Sequence, residues 1–134
     1  MGRYNEALEA YFYVDKIQTK ILSINHPSTV GTKKNIANCL SGMGKYNEAL
    51  EIYYSVDKTK TEILGIDHPS TSGTKNNIAN CLREMGKFKE ALEIHYSVEK
   101  IQTEILGIKH PLIIFTKMCI ANCLSNMGKY KGAL

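Results

Sequence analysis

The sequence predicts an all-α protein, a right-handed α-solenoid of antiparallel helix pairs. Three observations support this. The 134-residue chain repeats with a period of 42 residues, so that Tyr4, Tyr46, Phe88 and Tyr130 are equivalent. Each period holds two segments whose apolar residues follow helical spacing. One helix pair cannot bury such a stripe by itself, whereas stacked pairs build a continuous core from nearest-neighbour contacts.

The longer segment of each period is predicted to be a helix because its apolar residues lie three or four positions apart. In the second period these residues are Tyr46, Ala49, Leu50, Tyr53, Val56, Ile63 and Leu64. Gly65 then offers a C-terminal stop. The dipeptide His68-Pro69 follows, which requires an extended residue before the proline and favours the first turn of a new helix.

The shorter segment carries Ile78, Ala79, Leu82 and Met85 on one face, and Gly86 ends it with a tight turn. The predicted helices span residues 3–22, 28–42, 45–64, 70–84, 87–106 and 112–126, with a stub after Lys129. As domains, we expect a single array over residues 1–134. It comprises the long helix of a preceding repeat (1–24), repeats 25–66 and 67–108, and a partial repeat 109–134.

Composition and charge exclude several classes of function. The chain is 43% hydrophobic and 22% charged, with a net charge of +4 and no block of basic residues. Nucleic-acid binding is therefore not expected. No apolar run approaches the ~18 residues of a membrane span, and the amphipathic N-terminus does not resemble a targeting signal. These features predict a cytoplasmic protein that does not associate with membranes.

The four cysteines indicate a reducing compartment, since no secretory signal accompanies them. Cys39, Cys81 and Cys123 recur with the period, so each is expected in the same small buried slot, too far from its equivalents for a disulfide. Cys119 and Cys123 lie four residues apart on one predicted helix. Without a second ligand pair at matching spacing, no metal site is predicted.

Neither the histidines nor the glycines form a catalytic pattern. His26, His68 and His110 each precede proline and are expected at helix starts, while His95 replaces a tyrosine of the other periods and is expected to be a half-buried packing residue. No nucleophile stands beside an orienting base. Gly31 and Gly73 fall inside predicted helices rather than in a phosphate-binding loop. We therefore expect neither an enzyme nor a cofactor.

The run NNIANCLREMGKFKEALEIHY, with Gly86, Phe88, Ala91 and Leu92 in place, resembles the tetratricopeptide repeat (TPR). The 42-residue period and the connector LGIDHPST are similar to the repeats of kinesin light chains and nephrocystin-type proteins. HEAT-type arrays have similar periods but lack the Gly-Lys-aromatic-x-x-Ala-Leu signature. The resemblance covers the whole chain and implies a TPR superhelix, in which the shorter helices line a concave face.

The short helices are unusually rich in asparagine, a poor residue for a helix interior. Asn38, Asn80 and Asn122 are equivalent and would form a ladder along the implied groove. A side-chain amide offers both a donor and an acceptor to the backbone of an extended peptide. The alternative is that these amides hydrogen-bond between adjacent short helices and hold the superhelix together.

The candidate peptide groove comprises Lys34, Asn35, Asn38, Asn76, Asn77, Asn80, Arg83, Phe115, Met118 and Asn122. Some tetratricopeptide domains grip a terminal carboxylate with lysine, asparagine and arginine side chains, and Lys34, Asn38 and Asn77 match the first parts of that clamp. Phe115 and Cys119 stand where its remaining cations belong, so a complete clamp is not expected. Phe115 and Met118 instead predict an apolar pocket.

The resemblance implies a non-catalytic scaffold that binds extended peptide segments of a partner protein, as a kinesin-light-chain-like adaptor does. The alternative is a structural piece of a longer array that acts in self-assembly or spacing without a peptide ligand. Apolar residues such as Tyr4, Leu8 and Tyr11 near one end, and Ile120 and Leu124 near the other, predict head-to-tail self-association or a place within a longer array.

Overall fold

The protein is all-helical over the residues that the computed structural model describes, which are 2–21, 27–107 and 109–133. They form six helices and no strand, as predicted. The helices are α1 (Gly2–Ile21), α2 (Pro27–Gly42), α3 (Tyr46–Leu64), α4 (Pro69–Glu84), α5 (Phe88–Leu106) and α6 (Pro111–Ala133). The bounds of the first five helices agree with the prediction to within one residue at either end.

The turns after α2 and α4 have the same backbone pattern. After α4, the Lys87 N–H donates to the Leu82 carbonyl at 2.8 Å and the Gly86 N–H donates to that of Arg83 at 2.9 Å. This is a Schellman motif, which requires a left-handed residue just past the helix. Gly86 supplies it with φ +82, and Gly44 does the same after α2 with φ +80. The predicted stop at Gly86 is confirmed, and Gly44 ends α2 in the same way.

The His-Pro dipeptides begin helices, as the sequence predicts. His68 has an extended backbone with ψ 137, and its Nδ1 accepts the Ser70 N–H at 3.0 Å. His110 repeats the cap, accepting the Leu112 N–H at 3.2 Å. Each imidazole thereby satisfies an amide that has no partner within its helix. The equivalent His26 lies outside the described residues.

The last helix departs from the prediction. Residues 43–45 and 85–87 both end a short helix with the tripeptide Met-Gly-Lys, but the third copy, residues 127–129, lies inside α6, which runs on to Ala133. The predicted helix end before Gly128 and the stub after Lys129 are therefore wrong. Gly128 does not adopt the positive φ that Gly44 and Gly86 have. Continuing the existing helix instead gains a backbone hydrogen bond for each added residue.

The chain divides into two compact units, Met1–Ile63 and Leu64–Leu134, called unit 1 and unit 2. In unit 1, α1 packs against α2, and α3 is tied to α2 by the bond from the Tyr53 hydroxyl to the Asn38 carboxamide. In unit 2, α5 packs against both α4 and α6, and α4 also touches α6. The short loops make the pairs antiparallel.

Alanines mark the closest approaches of the helices. Ala37, Ala49, Ala79 and Ala91 are fully buried. Around them pack the branched aliphatic residues of the predicted stripes, among them Ile36, Leu40, Val56, Ile78, Leu82, Val98 and Ile113. All four cysteines are buried thiols and none forms a disulfide. Cys39, Cys81 and Cys123 thus occupy buried slots, as their periodicity predicts.

Candidate functional site

The short helices α2 and α4 each have one face that is less covered than the rest of the helix. On α4 this face consists of Gly73, Asn77, Asn80 and Glu84, none of which is buried, although eight other residues of α4 are. We call it the open face. At the same repeat positions, the open face of α2 consists of Gly31, Asn35, Asn38 and Gly42, and that of α6 consists of Phe115, Cys119, Asn122 and Asn126.

Unit 2 carries four of the predicted groove residues on the open faces of α4 and α6. Asn77 and Asn80 are half-buried on α4, while Phe115 and Asn122 are exposed on α6. Asn80 hydrogen-bonds to Cys119, and this contact links the two open faces. Burial raises the pKa of the Cys119 thiol against the opposing effects of the Arg83 charge and the Asn80 bond. The thiol is therefore protonated at neutral pH, and Cys119 is a buried packing residue rather than a nucleophile.

Asn76 does not lie on this surface, although the sequence grouped it with the residues of the candidate groove. Its side chain is buried, with its Nδ2 donating to Thr116 Oγ1 at 3.0 Å and its Oδ1 lying 2.9 Å from His95 Nδ1. Thr116 in turn donates to Gln102 Oε1 at 2.7 Å. These four buried side chains join α4, α5 and α6. Asn76 is an inter-helix tie, the alternative that the sequence left open.

His95 is completely buried, rather than half-buried as predicted. Because Asn76 uses its nitrogen toward Thr116, its oxygen is the acceptor for His95, so the imidazole carries its proton on Nδ1. Nε2 is buried and has no hydrogen-bond partner among the described residues. Burial, reinforced by the positive charge of Arg83, lowers the pKa of His95 from 6.5 to about 4. The ring is neutral near pH 7.

The pairing of Asn76 with His95 could have been recognised from the sequence. At the position of Asn76 the other periods have Lys34 and Met118, and at the position of His95 they have tyrosine. Only this period combines a histidine at the tyrosine position with an amide at the position of Asn76. An imidazole and an amide can share a hydrogen bond, so considering the two positions together would have indicated the contact.

Three other predicted groove residues lie beside the open faces rather than on them. Lys34 and Met118 occupy the repeat position of Asn76, where Lys34 is half-buried and Met118 is exposed. Arg83 is half-buried, with Nη2 3.3 Å from Glu84 Oε1 and its Nε buried without a partner among the described residues. Its charge acts on His95 and on the cysteines of α6.

The open face of unit 1 is formed by α2. Asn38 is exposed, but its Oδ1 accepts the Tyr53 hydroxyl, and Asn35 is half-buried beside it. Near this face, burial and then the charge of Lys34 lower the pKa of the Lys60 ammonium, which Asp57 partly offsets. Lys34 and Lys60 therefore repel each other, and Asp57 offsets part of that repulsion.

Gly31 and Gly73 are functional candidates that the sequence reasoning did not select. Both lie within helices, neither has a positive φ, and a Cβ at either position would meet nothing within 4 Å. Neither packing nor backbone conformation therefore requires glycine, although glycine costs about 1 kcal/mol relative to alanine in a helix. A ligand that approaches the backbone closely would account for these residues.

Other features of the described residues do not indicate a small-molecule or metal site. Two shallow cavities in unit 1, of about 260 and 200 Å³, are lined by residues such as Val30, Lys33 and Ser55, and by none of the ten predicted groove residues. No group of three or more histidine, cysteine or acidic side chains is arranged to hold a metal ion. No helix in these ranges is both long and apolar enough to cross a membrane.

Comparison with known proteins identifies the repeat. The profile of the tetratricopeptide repeat family matches residues 28–95, half of the chain. Two crystal structures of nearly identical TPR-like repeats from Podosopora anserina, a protein named as a kinesin light chain, are each 27% identical to the chain and cover 98% of it. Their TM-scores are 0.80 and 0.78, with 62% and 63% of those chains covered.

BtubC (BKLC) from P. vanneervenii has the same fold, with a TM-score of 0.84 at 18% identity over 97% of this chain and 52% of that one. The chain thus spans less than two thirds of the length of these structures. Among curated proteins, no match was found. TPR folds are generally non-catalytic and generally mediate protein–protein interactions. The chain belongs to the tetratricopeptide repeat family and is an all-α TPR solenoid, a protein-interaction scaffold.

Proposed function

We propose that the chain is a cytoplasmic, non-catalytic adaptor of the kinesin-light-chain type, which binds an extended peptide segment of a partner protein on the open faces of its short helices. The observation that carries this proposal is the pair Asn77 and Asn80. Both are half-buried on α4, whereas the side chain of the neighbouring Asn76 is buried in the core. Because asparagine disfavours a helix, residues retained on an uncovered face have a role outside the core.

The chemistry of the surface describes the ligand. The carboxamides of Asn77, Asn80 and Asn122 can pair with peptide N–H and C=O groups regardless of the peptide's side chains. The glycine at residue 73 leaves room for the peptide backbone above α4. Phe115, 50% exposed at the position equivalent to this glycine, offers an apolar contact, which Met118 extends.

Charge favours an acidic ligand. In unit 1 an acidic side chain would relieve the repulsion between Lys34 and Lys60. Arg83 supplies a further cation in unit 2, although its salt bridge with Glu84 partly neutralises its charge. We therefore expect an extended acidic segment containing an aromatic residue or leucine. Its affinity is expected to be micromolar, since a disordered peptide must become ordered on binding.

A selection followed by a titration tests the proposal. Random peptides displayed on phage are selected against the whole chain, and an enriched peptide is titrated calorimetrically into the wild type and into the double variant Asn77→Ala, Asn80→Ala. We expect this variant to lose detectable binding with its melting temperature nearly unchanged, because the higher helix propensity of alanine offsets the loss of the weak hydrogen bond between Asn80 and Cys119. Asn47→Ala, which removes an asparagine from the long helix α3, is the matched control and should bind normally.

Two results would contradict the proposal. One is unchanged affinity of the double variant for a peptide that the wild type binds. The other is a clear loss of stability without a specific loss of binding, which would make these asparagines structural ties like Asn76.

A further inference from the structure

The equivalent asparagines Asn38 and Asn80 lie on the open faces of α2 and α4, but different neighbours hold their side chains. In unit 1 the Tyr53 hydroxyl of α3 donates to Asn38 Oδ1. In unit 2 the residue equivalent to Tyr53 is His95, which bonds to Asn76 through Nδ1 and has no partner among the described residues at Nε2. The bond that orients Asn38 therefore has no counterpart from His95 to Asn80.

Asn80 is held instead by Cys119 of α6. The hydrogen bond between the two side chains acts to lower the pKa of the thiol, against the larger effect of burial. A hydrogen bond that favours the thiolate is one donated to the sulfur, so Asn80 Nδ2 is the donor. Asn80 is half-buried, and its Oδ1 has no partner among the described residues and is not one of their buried unpartnered atoms. That oxygen is therefore open to solvent.

The two carboxamides are consequently turned in opposite senses. The oxygen and the nitrogen of a carboxamide point away from each other, so holding one of them presents the other. Asn38 is exposed, gives its oxygen to Tyr53 and presents its Nδ2, a donor that no described residue engages. Asn80 gives its nitrogen to Cys119 and presents its Oδ1, an acceptor. Equivalent positions of the repeat thus offer opposite hydrogen-bonding groups.

We propose that Tyr53 and His95 determine which backbone group of a bound peptide each unit recognises. In unit 1 Tyr53 holds the oxygen of Asn38, whose nitrogen then donates to a carbonyl of the ligand. In unit 2 His95 bonds to Asn76 instead of Asn80, and the Asn80 oxygen accepts an N–H of the ligand. Tyr53 and His95 are both buried, so they are positioning residues that do not touch the peptide. This inference rests on the proposed peptide binding and adds the polarity of each contact.

Hydrogen exchange of the side-chain amides, measured by NMR spectroscopy without ligand, tests the orientation of the two carboxamides. A donor that is bonded within the protein exchanges more slowly with water than a donor that is exposed. The amide hydrogens of Asn80 should therefore exchange a few-fold more slowly than those of Asn38. Cys119→Ala removes the sulfur acceptor and should abolish the difference.

Aspartate variants test the consequence for binding, because an ionised carboxylate accepts hydrogen bonds but donates none. The peptide enriched against the wild type is titrated calorimetrically into Asn38→Asp and Asn80→Asp at about 0.5 M salt, which screens the added charge. Asn38→Asp removes the presented donor and should weaken binding on the order of tenfold. Asn80→Asp carries the same added charge but retains the presented acceptor, so it should weaken binding by about threefold or less.

Tyr53→Phe tests the positioning role directly. Without the hydroxyl the Asn38 carboxamide is free to turn, so the variant should bind the same peptide a few-fold more weakly. In an Asn38→Ala background the same substitution should leave the affinity unaltered, because Tyr53 acts on the ligand only through Asn38. A merely structural tyrosine would weaken binding equally in both backgrounds. Circular dichroism confirms that each variant remains helical.

Three results would overturn the inference. They are amide exchange at Asn38 as slow as at Asn80, an Asn38→Asp variant that loses no more affinity than Asn80→Asp, and an equal effect of Tyr53→Phe in both backgrounds. Failure of the proposed function gives a different result, in which the variant Asn77→Ala, Asn80→Ala binds the peptide as the wild type does. The exchange measurement needs no peptide, so it tests the orientation of the amides in either case.

Discussion

The helix pairs α2–α3 and α4–α5 occupy consecutive periods, yet their polar ties differ. In the first pair the buried Tyr53 reaches the exposed Asn38, whereas in the second the shorter His95 reaches Asn76, about one helical turn earlier. The second tie continues through Thr116 to Gln102 and is wholly buried. Two exchanges, His95 for the tyrosine of the other periods and Asn76 for Lys34, therefore accompany the move of the tie from the surface into the core, where an unmet hydrogen bond costs more.

Of the changes that test this difference, replacing Asn76 should lower the free energy of unfolding most. Asn76→Ala leaves His95 Nδ1 without its acceptor and removes the donor to Thr116, in a site closed to water. At about 1–3 kcal/mol for each buried group left unsatisfied, we expect a loss of roughly 3 kcal/mol in the free energy of unfolding, measured by urea denaturation. Asn38→Ala is the control and should cost less than about 1 kcal/mol, because water can replace an exposed carboxamide. Equal losses would show that burial does not distinguish the two ties.

Acid should destabilise the α4–α5 pair next most strongly. The pKa of His95 is about 4 in the folded protein and 6.5 as a reference. Between pH 6.5 and about pH 4 the unfolded chain binds more protons at this residue than the folded protein does. The contribution of neutral His95 to the free energy of unfolding is therefore fully present above pH 6.5 and decreases as the pH falls toward 4. Between about pH 7 and pH 5 the loss should be about 2 kcal/mol. His95→Gln has no imidazole to titrate, so its unfolding free energy should depend less on pH; an unchanged slope would exclude His95 as the cause.

The tie of unit 1 should have a smaller effect. Tyr53→Phe keeps the buried ring and removes only the hydroxyl that donates to Asn38. A single hydrogen bond to an exposed acceptor contributes about 1 kcal/mol, which is the expected loss in unfolding free energy. A loss as large as that of Asn76→Ala would indicate that the two ties are energetically equivalent despite their different burial.

The smallest effect expected is a gain. Gly73→Ala places a methyl group in open space on α4 and should stabilise the fold by about 0.5–1 kcal/mol. The same change at Gly86, whose φ is +82, should destabilise it. If the proposed peptide runs over the backbone at residue 73, Gly73→Ala should also weaken peptide binding. A variant that is more stable and binds normally would leave that glycine without a role in recognition.

The candidate site was only partly predictable from the sequence. Spacing placed Asn77 and Asn80 on one face of a helix, because helical geometry relates positions three and four residues apart, and the 42-residue period made Asn122 equivalent to Asn80. It also grouped Asn76 with them, since Asn76 lies one turn before Asn80. Whether a residue at the edge of a stripe is covered depends on the neighbouring helices, which a single helix does not specify.

By itself, the sequence determined the period, the five helices that end near their predicted residues, and the caps at His68 and His110. These features depend on backbone conformation and on residues close together in the chain. Only the tertiary structure decided whether identical tripeptides end a helix and whether equivalent residues are buried. Met-Gly-Lys ends α2 and α4 but continues α6, and the position of Leu82 is covered in α4 but exposed as Leu124 in α6. The physical reason is that an apolar residue gains free energy from burial only where another helix packs against it, and residues close together in the chain do not specify that packing.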